Sequence, residues 1–317
     1  MPDISIIMVT YNREKFLKRS IESVLAQKNC DFELVIVNNG SEDNSLEVCR
    51  KYEDTDSRVS VVNITNGNIG RARNVGLDHI SGNFVSFVDD DDYMKEDMFS
   101  YLYTILQKHN ADISVCGCYY DFSGRIEPFY VFEDVKVLNK YEAVREFLKR
   151  KRYNSANPCK LFKRSLFDNI RYIETGRYDD IHTIYKLFAE AETVVSSGTA
   201  KYFFDRHENN NSGFALTYNL TPQQLEEYLW AFSERTKYLS MKIPQIAKMA
   251  KYSELSYMIS MVDKITKYNL ENCKDQLSYI KGILVSSLDE LLSCEYIEPF
   301  EVEWVNKYII GESNAKY

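Results

Sequence analysis

The 317-residue chain has no long hydrophobic run. Its first apolar stretch, Ile4-Ser5-Ile6-Ile7-Met8-Val9, is far too short to span a bilayer and has no basic region ahead of it. Neither a transmembrane helix nor a targeting signal is expected. Glycine and proline are sparse, at 12 and 6, and beside a hydrophobic fraction of 44% this excludes collagen-like and disordered chains. An excess of positive charge is also absent. Thirty-nine basic against 47 acidic residues leave −8, so the chain as a whole has no electrostatic reason to bind nucleic acid, and any phosphate must be handled locally. The seven cysteines (Cys30, Cys49, Cys116, Cys118, Cys159, Cys273 and Cys294) are odd in number and lack zinc-ribbon spacing. Reduced thiols in a cytoplasmic protein are the simplest reading. Gly-x-Gly-x-x-Gly is missing, which counts against a dinucleotide-binding domain.

What is present is an α/β pattern followed by a helical one. Up to Tyr120, short apolar runs alternate with longer amphipathic ones, the signature of a largely parallel sheet covered by helices. Strands are expected at Ile4–Val9, Phe32–Val37, Val59–Ile64, Phe84–Val88 and Asp112–Tyr120, and a strand pair or single strand at Val194–Phe204. Helices are expected at Arg13–Gln27, Asp43–Tyr52, Met94–Asn110, Tyr141–Lys151 and Asp179–Glu190, and another opens near Gly70. Thr221-Pro222-Gln223-Gln224 joins a cap, a proline at the first helical position and a capping-box glutamine. Helical periodicity recurs at Tyr252–Tyr268 and Leu277–Leu292. Two domains follow, residues 1–217 and a helical region at 218–317. The helical region could complete the core, form a homodimer interface or rest on the inner face of a membrane.

Asp89-Asp90-Asp91-Asp92 directly follows a buried strand, at the sheet edge where open α/β folds bind ligands. A solvated acidic loop is one reading. A site for Mg²⁺ or Mn²⁺, relieving the mutual repulsion, is the reading its position favours. Arg71 and Arg73 near a helix start suit a diphosphate or are two surface arginines. Asp179-Asp180 opens a helix as a simple cap or holds a general base. His207, in a polar loop, is a surface residue or a metal ligand.

Taken in order, these motifs resemble the non-processive family 2 glycosyltransferases of the GT-A fold, over residues 3 to 215. Ile4 to Arg13 resembles the family's first strand and nucleotide loop, and Val37-Asn38-Asn39-Gly40-Ser41 stands where the family writes Val-Asp-Asp-Gly-Ser. Ala72-Arg73-Asn74 matches the Ala-Arg-Asn segment, and Asp89 and Asp91 fall on the Asp-x-Asp motif. Cys159-Lys160-Leu161-Phe162 resembles the acceptor-side Lys-Leu-Tyr segment, and Asp179-Asp180 falls where the family has Glu-Asp. Arg206-His207, with Asn211-Ser212, resembles the loop that closes over metal and diphosphate. Two departures stand out, Asn39 for aspartate and Asp179 for glutamate. No Gln-x-x-Arg-Trp motif occurs.

The resemblance implies inverting transfer of one sugar from a UDP-sugar to a hydroxyl of an acceptor glycan or glycoconjugate, in bacterial cell-surface polysaccharide or glycoprotein synthesis. It makes Asp180 the catalytic base and Asp89, Asp91 and His207 the ligands of Mn²⁺ or Mg²⁺. It assigns Thr10, Tyr11, Arg13, Asn39, Arg71, Arg73, Asn74 and Asp90 to the donor nucleotide, with Tyr11 stacking on the base, Asn39 reading its edge and Asp90 or Asp89 touching the ribose. The rival readings are a sugar-1-phosphate nucleotidyltransferase and a non-catalytic scaffold of the same fold.

Overall fold

The apolar run Ile4–Thr10 forms β1, one of the middle strands of a sheet, in a computed structural model that describes residues 2–207, 210 and 220–311. On one side of β1 lies β2 (Phe32–Asn39), followed by β3 (Val59–Ile64), and on the other lies β4 (Phe84–Asp89). All four are parallel. Burial on both faces explains why β1 and β2 read as continuous apolar runs rather than as alternating ones.

Three helices cover these strands: α1 (Glu14–Leu25), α2 (Ser45–Thr55) and α3 (Ile69–Asp78). Leu17, Ile21 and Val24 form the buried stripe of α1; burying each such side chain contributes about 1.5–3 kcal/mol. Helix α3 approaches β1 so closely that a Cβ on Gly76 would fall 2.6 Å from Ile7 Cγ2.

Beyond β4 the sheet becomes mixed. Strand β5 (Tyr93–Met94) and helix α4 (Met98–Lys108) share the stretch for which the pattern predicted one helix from Met94, because Tyr93 and Met94 pair with a later strand at Phe203 and Tyr202. Next come β6 (Ile113–Phe122), β7 (Arg125–Pro128), β8 (Val135–Asn139), α5 (Lys140–Lys149), β9 (Lys160–Lys163), α6 (Asp179–Glu190) and β10 (Thr193–Asp205). The strand order is β3-β2-β1-β4-β9-β6-β10-β5, with β7 on β6 and β8 on β10. Short β9 runs antiparallel to both β4 and β6, and β6 is parallel to β10. The carboxyl ends of β1, β2, β4, β6 and β10 therefore open on one edge.

The chain divides into two compact units, Met1–Glu208 and Asn209–Tyr317, where the sequence had suggested a division at 217/218. Residues 211–219, including Asn211 and Ser212 of the expected closing loop, lie outside the described ones. The second unit is helical: α7 (Pro222–Lys242), α8 (Ala247–Lys267), α9 (Lys274–Ser286), α10 (Leu288–Leu292) and α11 (Pro299–Val305). Helix α7 starts at the Thr221/Gln224 capping box. Its own core gathers Leu225, Leu229, Leu255, Ile259, Val262 and Leu284. Among the described residues no helix is long and apolar enough to cross a membrane. All seven cysteines are free thiols.

Candidate active site

The site is built on the edge where β1, β2 and β4 end. Past β1 the chain turns at Asn12, whose φ of 53° is left-handed, and two neighbouring loops brace each other there. The Asn12 N–H donates to Ser41 Oγ at 3.0 Å, Asn12 Oδ1 accepts from Glu42 N at 2.8 Å, and Arg13 N donates to Ser45 Oγ at 2.8 Å. This holds the half-exposed ring of Tyr11 at the rim and points Arg13 inward, its Nε 3.7 Å from Asp90 and 4.0 Å from Asp91. Thr10 is buried beneath them.

The acidic turn is not a solvated loop: Asp90, Asp91 and Asp92 are buried. Tyr202 Oη accepts from the Asp89 N–H at 3.1 Å, Arg19 donates to the Asp91 carbonyl at 2.7 Å, and Ser20 Oγ to that of Asp92 at 2.6 Å. Crowding has an electrostatic consequence. Burial first, then the Asp91 charge, pushes Asp90 up to about 7 against the easing effect of Thr10 and Arg13. Burial also raises Asp89 to about 6, with Asp91 and Asp179 adding to the shift and Arg73 opposing it. Such a recess holds more negative charge than its cations offset.

His207 joins this cluster: Nε2 lies 3.2 Å from Asp91 Oδ2, and the ring stacks on Phe16 with centroids 4.2 Å apart. Two carboxylates and an imidazole, Asp89, Asp91 and His207, make a donor set that suits Mn²⁺ or Mg²⁺ in chemistry. Among the described residues no three His, Cys, Asp or Glu side chains already gather about one point as ligands do.

Across the recess stands the first turn of α6, where Asp179 and Asp180 face the positive end of the helix. Buried Arg73 on α3 clamps both oxygens of Asp179 with one guanidinium nitrogen and lies 3.8 Å from Asp89. Half-buried Asp180 accepts from the Ile181 N–H at 2.8 Å. Burial, and then the Asp179 charge, pushes it up to about 7, in the range a general base needs.

Not every expected residue turns toward the recess. Both polar atoms of Asn39 are committed to Gly67, Nδ2 donating to its carbonyl at 2.8 Å and Oδ1 accepting from its N–H at 3.1 Å. The carboxamide of Asn74 clamps the Tyr172 main chain, Oδ1 on the N–H and Nδ2 on the carbonyl, both at 2.9 Å. Arg71 is exposed, beside Gly67. Asn39 and Asn74 thus fasten loops around the recess, a task their motif positions did not reveal. Sequence reading also missed Tyr202, Arg19 and Tyr172. Their partners lie from 72 to 113 residues away, and no local signal marks them.

The model of glycosyl transferase family 2 matches residues 5–171. GlyG, a glycosyltransferase of Streptococcus pneumoniae, is 30% identical over 65% of this chain and 72% of its own length. GlyA of the same species is 28% identical over 80% of this chain, which spans only 37% of GlyA. The solved structure of Staphylococcus aureus TarS residues 1–349 with UDP-GlcNAc superposes with a TM-score of 0.61 at 18% identity, covering 92% of this chain and 90% of that one. TarS is named a poly(ribitol-phosphate) beta-N-acetylglucosaminyltransferase. The fold is thus GT-A-like, and the chain belongs to glycosyl transferase family 2.

Proposed function

We propose that this enzyme moves one sugar, with inversion, from a UDP-sugar to a hydroxyl of an acceptor glycan in cell-surface polymer synthesis. The observation that carries the reading is the meeting of two carboxylate groups across Arg73: the end of β4 on one side and the first turn of α6 on the other. Relatives named for minor teichoic acid biosynthesis and for poly(ribitol-phosphate) N-acetylglucosaminyl transfer, and the UDP-GlcNAc bound to TarS, support the donor and the acceptor class.

In this reading the uracil stacks on Tyr11, which stands exposed at the rim. Arg13, aimed inward beside Asp90 and Asp91, orients the nucleotide. Asp89, Asp91 and His207 would hold Mn²⁺ or Mg²⁺, which when bound supplies Lewis-acid neutralisation of the departing diphosphate. Asp180 takes the proton from the acceptor hydroxyl as its oxygen attacks the anomeric carbon from the face opposite the leaving group. Arg73 holds Asp179, and through it the helix turn that presents Asp180. Family membership sets aside the nucleotidyltransferase alternative.

Donor hydrolysis across UDP, GDP, CDP and dTDP sugars, with Mn²⁺ and with EDTA, tests the proposal. Release of UDP that EDTA abolishes supports it. An Asp180→Asn variant should keep UDP binding and lose transfer. No nucleotide release from any donor, together with no UDP–Mn²⁺ stabilisation of the fold, would reject it.

A further inference from the structure

The carboxyl end of β6 carries an aromatic floor at the same sheet edge as the acidic turn. Tyr120 stacks on Phe129 with centroids 4.2 Å apart, and Phe129 meets Tyr130 at 4.1 Å. Half-buried as they are, these rings keep part of their surfaces open. The Cys118 carbonyl accepts from the Phe129 and Tyr130 N–H groups at 3.1 and 3.4 Å, anchoring the floor. Lys160 on the neighbouring strand β9 pairs with Val115 of β6, and its charge acts on both Cys118 and Asp180.

Two guanidiniums border it. Arg206 lies over the Tyr120 ring, 4.3 Å from its centroid, and near enough to Asp89 for their charges to interact. Arg150, exposed at the end of α5, accepts the Tyr130 hydroxyl on its carbonyl at 3.2 Å, and its charge acts on both Tyr120 and Tyr130. Several other arginines of this unit are matched, among them Arg19 with Asp205, Arg58 with Asp56, Arg73 with Asp179 and Arg152 with Asp134. Among the described residues neither Arg150 nor Arg206 has a carboxylate in ion-pair reach. Arg150 moreover occupies a left-handed position, φ 53°, where a helix ordinarily ends in glycine. A cation kept there, against the backbone's preference and with no acid paired to it among the described residues, is placed for a ligand.

We propose that this floor binds the acceptor, and that the acceptor is an anionic glycan. Its oxyanions, phosphodiester or uronate, pair with Arg150 and Arg206, while its sugar or polyol faces rest on Tyr120, Phe129 and Tyr130. A planar guanidinium offers the paired N–H donors that either oxyanion accepts, and aromatic faces supply broad apolar contact beside them. The proposal deepens the transfer reading and rests on it.

Three labelled hexamers test it by fluorescence anisotropy in the presence of UDP and Mn²⁺: a glycerol phosphate oligomer, an oligogalacturonate and neutral maltohexaose. At least one anionic hexamer should bind about tenfold tighter than the neutral one, and added salt should weaken it; which anion binds identifies the source of the charge. Arg150→Gly removes the charge at a backbone position that glycine accepts, so it should keep its melting temperature and lose about tenfold in anion affinity. Arg150→Lys should recover part of that loss. Equal binding of all three hexamers, no binding by either anion, or full anion affinity in Arg150→Gly overturns the proposal. UDP binding by the unaltered protein is read in parallel. Its failure would sink the transferase reading, whereas UDP binding without anion preference sinks only this one.

Discussion

Arg73 on α3 and Asp179 on α6 form a buried pair in which one guanidinium nitrogen donates to both carboxylate oxygens. The same guanidinium faces Asp89 at 3.8 Å and lies over the Tyr172 ring at 5.6 Å. One side chain therefore ties the end of β4, the 170s loop and the first turn of α6 to a single point.

Removing one partner of such a pair leaves a buried charge, because both side chains are nearly closed to water, at 9% and 4% exposure. Arg73→Ala should cost about 3–5 kcal/mol in urea denaturation. Arg73→Lys keeps the charge without the planar fork and should cost less. A loss under about 1 kcal/mol in the alanine variant would show that the pair does not hold α3 to α6.

Asp180 sets a pH dependence. Burial, then Asp179, raises its carboxyl to about 7 against Arg73 and the Ile181 N–H. A base must be ionised, so transfer should fall as pH drops through about 7. Asp179→Asn removes a negative neighbour and should move that limb to lower pH. Stability runs the other way: a carboxyl raised from 3.8 to about 7 favours the folded state fully below 3.8, and this contribution disappears as pH rises through 7. A pH–rate profile of kcat/KM for both proteins, beside thermal melts across the same range, checks both signs. An unmoved acidic limb in Asp179→Asn would remove Asp180 as the titrating group.

Asn74 gives a sharper test of scaffolding. Its side chain satisfies the N–H and the carbonyl of Tyr172 at once, and the Tyr172 hydroxyl donates to Asn157. Asn74→Ala leaves two buried main-chain groups without partners, each costing about 1–3 kcal/mol. Asn74→Asp keeps the acceptor for the N–H but turns a carboxylate oxygen toward a carbonyl. Both variants should lose about 2–4 kcal/mol, with the loss of hydrogen-exchange protection concentrated at residues 170–174. Protection lost evenly across the first unit would mean that Asn74 pins no particular segment.

Legibility followed the range of the interaction. Helix α6 was readable residue for residue because its signals are local, an acidic first turn and one apolar stripe. Strand β5 was not, since Tyr93 and Met94 become a strand only by pairing with Phe203 and Tyr202, more than a hundred residues on. The acidic turn was legible as chemistry because it follows a buried strand. What remained hidden was which polar groups face the recess and which face the protein. Asn39 and Asn74 sit in recognisable motifs, yet their partners, Gly67 and the Tyr172 main chain, are brought to them by folding alone.

Two glycines separate close approach from simple flexibility. A Cβ on Gly70 would stand 2.0 Å from the Ile173 carbonyl oxygen, a main-chain atom that cannot step aside as a side chain does. Gly70 also opens α3, its N–H capped by Asn68 Oδ1 at 2.7 Å. Gly70→Ala should therefore push α3 away from the 170s loop, cost at least about 2 kcal/mol and weaken UDP binding through Arg73. A Cβ on Gly282, inside α9, would meet nothing within 4 Å. Gly282→Ala should stabilise the helical unit by about 0.5–1 kcal/mol. Hydrogen exchange reports each unit through its own amides, so the two effects can be read separately in the same molecule. Equal, small effects at both positions would mean that the tight contact at Ile173 does not constrain the site.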